Sequence, residues 1–72
     1  MDELEIQLRK NLANNLRINR AKERLSQEQL AEKANLTQTY IYKIENELVN
    51  PSIFVMYKLS KALHISIDDL LK

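Results

Sequence analysis

The 72-residue chain has no cysteine, no glycine, a single proline and a single histidine. Without cysteine, neither a disulfide nor a thiolate metal site can prop up a weak core, so stability has to come from packing. The absence of glycine, with Pro51 alone to punctuate the chain, argues against the closely spaced turns of a β architecture. His64 has no second ligand near it, and one imidazole makes no metal site. No apolar run approaches the roughly 20 residues that span a bilayer. The opening MDELEIQLRK is charged throughout, unlike the basic-then-apolar pattern of a secretory signal. Nucleophile elbow, phosphate loop and metal cluster are all lacking, so nothing points to an enzyme, a cofactor or a small-molecule ligand. What is present is 44% hydrophobic residues, enough to build a small core. The expectation is one soluble, cytosolic, all-α domain with no room for a separate sensing or catalytic domain.

Strong net charge is also missing, the formal value being +1. Its distribution is less bland. Between Arg9 and Lys61 stand ten Lys or Arg against five Glu, a local +5. Asp2, Glu3 and Glu5 at the front, and Asp68 and Asp69 against Lys72 at the back, compensate. A basic middle between acidic ends suits a protein that meets nucleic acid on one face, although solvated helices of other proteins share it.

Helical periodicity organises the chain. Leu4, Leu8, Leu12 and Leu16 recur every four residues and predict a first helix ending near Lys22. Asn11, Asn14 and Asn15 are indifferent helix formers, so residues 1–11 are set apart as a lead-in or arm ahead of a domain over 12–72. Ser26 and Gln29 form a capping box, with Leu25 stapling onto Leu30, and start a second helix that ends near Ala34. Asn35 suits the left-handed turn that follows. Thr37 caps a third helix to about Glu45 or Asn46. Ser52 caps a fourth, whose inward face is expected at Ile53, Met56, Leu59, Ser60 and Leu63. Ser66 caps a short last helix with Asp68 and Asp69 complementing its dipole. Phe54 and Tyr57 fall off the inward face and, with Leu70 and Leu71, are candidates for a subunit interface.

The segment SQEQLAEKANLTQTYIYKIE, residues 26–45, is the most informative. Leu30, Ala31 and Ala34 share one helical face, and Ile41 and Ile44 repeat three apart across a tight turn. If Ile41 and Ile44 face inward, a 100° step per residue puts Thr39, Tyr42, Lys43 and Asn46 on the opposite side, with Gln38 and Tyr40 on the flanks. Two short helices with a free polar face on the second are the elements of a helix-turn-helix.

The stretch from Leu12 to Leu71 resembles the phage-repressor and Cro-like helix-turn-helix family, often called the XRE family. The resemblance is carried by Arg20 before LSQEQLA (25–31), the turn Ala34-Asn35-Leu36-Thr37, YIYKIE (40–45), NPS (50–52) and LSKALHISIDDLL (59–71), in order and at matching spacing. It implies a compact five-helix, lambda-repressor-like DNA-binding domain and a homodimer on an inverted-repeat operator in double-stranded DNA. The base-reading positions then fall on Gln38, Thr39 and Lys43, with Tyr42 a further one. Gln38 can offer donor and acceptor to an adenine edge, and Lys43 can meet either a guanine or a phosphate. Gln27 matches a phosphate contact at a helix N-terminus. Tyr40, on the flank, and Asn46, at the helix end, are assigned to phosphate as well. Arg20 and Glu45 match a partly buried ion pair that ties helix one to the end of helix three.

Departures from the family pattern are informative. Gly is common where this chain has Arg24, Asn35, Glu47 and His64; Asn35 is a mild change, whereas Arg24 and His64 need another backbone geometry or accept strain. Asn19 replaces a usual apolar residue. The loop Glu47-Leu48-Val49 is acidic and apolar where Lys or Arg is frequent, which predicts fewer phosphate contacts and a protein contact there. The resemblance therefore implies a small cytoplasmic, nucleoid-associated regulator of transcription, a repressor. Its competitor is the same fold used as a protein-interaction module or an antitoxin-type partner binder.

Overall fold

Each of five helices begins on a side-chain cap. In the computed structural model, which describes residues 1–72, they are α1 (Glu3–Lys22), α2 (Gln27–Ala34), α3 (Gln38–Glu45), α4 (Ile53–Leu63) and α5 (Ile67–Leu71). Asp2, Ser26, Thr37, Ser52 and Ser66 are the N-caps, each accepting from the backbone N–H three residues on. Ser26 and Gln29 complete the reciprocal capping box, at 3.0 and 2.8 Å. α1 starts at Glu3, so the lead-in before Leu12 is helix rather than arm. In α5 the Lys72 ammonium, 3.1 Å away, and the Ser66 hydroxyl hold the Asp69 carboxyl below the usual carboxylate range.

The helix ends follow one pattern four times. Arg24, Asn35, Glu47 and His64 all adopt the left-handed conformation, with φ of 56°, 55°, 61° and 58°. In each case the next residue, Leu25, Leu36, Leu48 or Ile65, donates its N–H to the carbonyl five residues back, at 2.8–3.1 Å. This is the Schellman arrangement, which satisfies carbonyls that a helix end otherwise orphans. Glycine is the usual occupant, because a Cβ in this region costs about 1–2 kcal/mol. The chain keeps the geometry and accepts the strain. Leu25, Leu36 and Ile65 then tuck against the core, whereas Leu48 stays 60% exposed. Glycine at Arg24, Glu47 or His64 should accordingly raise stability by about 0.5–1 kcal/mol per site after its own entropic cost. Thermal melts would register roughly 4–8 °C per kcal/mol; unchanged or lower midpoints would contradict the strain.

The core lies where all five helices converge. α1 packs on α3 and α5, α2 on α3 and α4, and α4 on α5. Leu16, Leu30, Ile41, Ile44, Leu59 and Leu70 are fully buried, each contributing about 1.5–3 kcal/mol of burial. Two expectations are corrected here. Ile53, the first residue of α4, is 59% exposed and lies outside the core, and Ala62 joins the inward face with Met56, Leu59, Ser60 and Leu63. Leu70 is 0% exposed and belongs to the core of its own chain, so it has no surface to offer a second subunit. Leu71 is half-buried against the same core, leaving Phe54 and Tyr57 as the open residues of that candidate set.

The asparagines of α1 have a use that propensity conceals. Asn11 and Asn15 donate Nδ2 to the carbonyls of Leu71 and Leu70, both at 3.0 Å, and so satisfy the end of α5. Asn19, in a usually apolar position, donates to the Asn15 carbonyl at 2.8 Å.

Candidate nucleic-acid interface

The orientation of α3 follows from which of its residues are buried. Ile41 and Ile44 point into the core at 0% and 2% exposure, and Glu45 is buried beside them. Gln38, Thr39, Tyr42, Lys43 and Asn46 are all exposed, so the four residues expected to read bases share one solvent face. Tyr40 differs. It is half-buried and packs against the core, so its ring is a core contact before it is anything else. Asn46 caps the helix and donates Nδ2 to the Tyr42 carbonyl at 2.8 Å.

A polar cluster under the helix holds this face in place. Arg20 Nε donates to Glu45 Oε2 at 2.8 Å and its Nη2 to Oε1 at 3.1 Å, a two-pronged pairing that suits the planar guanidinium. Its Nη1 donates to the Leu25 carbonyl at 3.0 Å, where α1 turns into α2. Gln27 Nε2 adds a third bond to the carboxylate, 3.0 Å from Oε1. One cluster therefore joins the end of α1, the front of α2 and the end of α3. Gln27 is half-buried, and its amide nitrogen is already held by Glu45, with one N–H left over for a phosphate.

Two further arginines reach the same region, and sequence reasoning assigned them no role. Arg17 Nη1 donates to the Glu45 carbonyl, and its Nη2 to Asn14 Oδ1 at 2.7 Å. Arg9 donates Nε to Asn50 Oδ1 at 2.6 Å and Nη1 to the Glu47 carbonyl at 2.9 Å, pinning the α3–α4 loop to α1. The available signal was the placement of Arg9, Arg17 and Arg20 along one helix, whose apolar stripe already fixed its direction. In the loop itself Val49 packs on the core and Leu48 does not. No group of three or more His, Cys, Asp or Glu is placed to hold a metal ion. No helix is long and apolar enough to cross a membrane.

Two short helices joined by a left-handed turn, the second with a polar face outward and its back clamped to α1, define a helix-turn-helix domain. The chain belongs to the helix-turn-helix family of DNA-binding transcription regulators, XRE type, whose family model, described as Helix-turn-helix, matches residues 16–70. That family is not enzymatic. Among its relatives, the control protein C.SmaI of Serratia marcescens is 43% identical over 60 residues, 83% of this chain and 71% of that protein. The fold superposes on the hypothetical transcription factor NHTF from Neisseria with a TM-score of 0.87 and 34% identity, over 90% of this chain and 75% of that one. It also superposes on the restriction-modification controller protein C.AhdI from Aeromonas hydrophila, with a TM-score of 0.82 and 32% identity. That match covers 86% of this chain and 94% of the controller.

Proposed function

We propose that this chain binds a specific double-stranded DNA sequence as a symmetric homodimer and regulates transcription, as a repressor or controller, at the nucleoid in the cytoplasm. Each α3 enters one major groove of an inverted-repeat operator, with half-site centres about 34 Å apart. Gln38, Thr39, Tyr42 and Lys43 face base edges, while Gln27, Tyr40 and Asn46 lie toward the backbone. The observation that carries this reading is the exposed Gln38-Thr39-Tyr42-Lys43 face on a helix whose other side is clamped by Arg20, Glu45 and Gln27. Likeness to C.SmaI and C.AhdI, named as control and controller proteins, supports the regulator role.

Random-site selection on the wild type and on Gln38→Ala tests it. The wild type should enrich one inverted repeat. Gln38→Ala should relax preference at one base pair per half-site, costing about 1–3 kcal/mol there. Enrichment of the same site with unchanged affinity by Gln38→Ala would remove that residue from base reading. The exposed Leu48, in a loop without Lys or Arg, supports a second reading as a protein-interaction module. Failure of the folded wild type to enrich any duplex would favour that one.

A further inference from the structure

Three arginines of α1 converge on the carboxyl end of α3, and they are not equally occupied. Arg20 commits three of its donors to Glu45 and the Leu25 carbonyl and is 22% exposed. Arg9 is half-buried between Asn50 and the Glu47 carbonyl. Arg17 is exposed. Two of its five N–H groups go to the Glu45 carbonyl and Asn14 Oδ1, which fix the plane of the guanidinium and leave three donors for solvent.

We propose that Arg17 binds a DNA phosphate at the rim of the major groove, supplying from α1 the cation that the α3–α4 loop lacks. The inference rests on α3 lying in the groove as proposed above. α3 has eight residues, a length of about 12 Å, close to the width of the major groove at about 12 Å. With its amino end at the bases, its carboxyl end emerges at the rim, where the sugar-phosphate backbone runs. That end is electrostatically wrong for a phosphate. The helix terminus carries partial negative charge, and the following residues Asn46, Glu47, Leu48, Val49 and Asn50 bring one acid and no base. Arg17 sits directly on the last α3 carbonyl. There it neutralises the terminus and presents the remaining prongs of a fork that matches phosphate geometry.

Salt-dependent binding decides the matter. Affinity of the wild type, Arg17→Gln and Arg17→Lys should be followed against salt on the selected duplex and on an unrelated one. Removing a single phosphate interaction from each protomer lowers the log–log slope by about 0.9 per protomer. Arg17→Gln should show that drop, with the same fold-loss on both duplexes, and Arg17→Lys should restore the slope. A folded Arg17→Gln protein with the wild-type slope overturns the proposal. If Arg17→Gln does not fold, phenylglyoxal labelling of the wild type reads the same interaction. Arg17 should react in the free protein and be protected by duplex DNA, and equal labelling in both overturns the assignment. Absence of salt-dependent binding by the wild type itself would instead remove the DNA-binding reading on which the inference rests.

Discussion

Arg20→Ala should leave much of the chain unfolded at room temperature. The reason is the state of Glu45, which is 3% exposed and holds its charge against one guanidinium and one amide. Removing Arg20 strands a carboxylate in the interior with Gln27 as its remaining side-chain donor. Breaking a buried pair from one side typically costs about 3–5 kcal/mol, because the partner's desolvation is no longer compensated. A domain below about 70–80 residues seldom has more than about 3–5 kcal/mol to lose. Urea titration followed by far-UV circular dichroism should therefore show a transition that has already begun in buffer. The companion variant Arg20→Met with Glu45→Leu should be more stable than Arg20→Ala, since an apolar pair of similar volume carries no uncompensated charge. A cost below about 1 kcal/mol for Arg20→Ala would mean that the pair behaves as an exposed surface bridge, contrary to its burial.

Placing a charge cluster under the recognition helix has a consequence for function as well as stability. An apolar contact would hold α3 against α1 but would tolerate rotation about its own axis. The two-pronged Arg20–Glu45 pairing, with Gln27 approaching from α2, fixes direction as well as distance. In the proposed DNA complex, the exposed face from Gln38 to Lys43 is thereby aimed before any DNA is met, and less ordering remains to be done on binding.

Local chemistry made most of the fold legible in the sequence. Ser26, Thr37, Ser52 and Ser66 each cap the helix they precede, because an N-cap needs only its own side chain and the next turn. The face of α3 followed from Ile41 and Ile44 alone, since rotation per residue is fixed within a helix. The four positions where this chain replaces a usual glycine kept the left-handed backbone. What stayed hidden depends on residues far apart in the chain. Asn11 meets Leu71 across 60 positions and Arg9 meets Asn50 across 41, and no local pattern announces such a pairing. Leu70 and Phe54 look alike in the sequence, as large apolar residues with no evident place in the core. Phe54, on the longer α4, falls off the inward face by periodicity and is exposed, but α5 has five residues, too few for periodicity to say which side is inward, and only packing puts Leu70 in the core.

Phe54→Asp should weaken operator binding by about 10²–10⁴-fold. Phe54 is 76% exposed and Tyr57, one turn on, 55%, with Ile53 beside them at 59%. Side chains of this size on one short helix are a patch that a lone copy leaves wet. In the proposed dimer a second copy covers it, and the two recognition helices are joined rigidly enough to bind as one unit. Such linkage multiplies affinity by about 10²–10⁴ over a single half-site, equivalent to roughly 3–5.5 kcal/mol. An aspartate at the centre of that patch would bury an unpaired charge on association, so the variant should sediment as a monomer and lose binding by that factor. Because position 54 is open in the single chain, its own folding should change by no more than about 0.5 kcal/mol. That separates loss of the partner from loss of the fold. The wild type should also melt at a temperature that rises with protein concentration, and Phe54→Asp should not. A Phe54→Asp protein that still dimerises, or that binds the operator as tightly as the wild type, would move the subunit interface off α4.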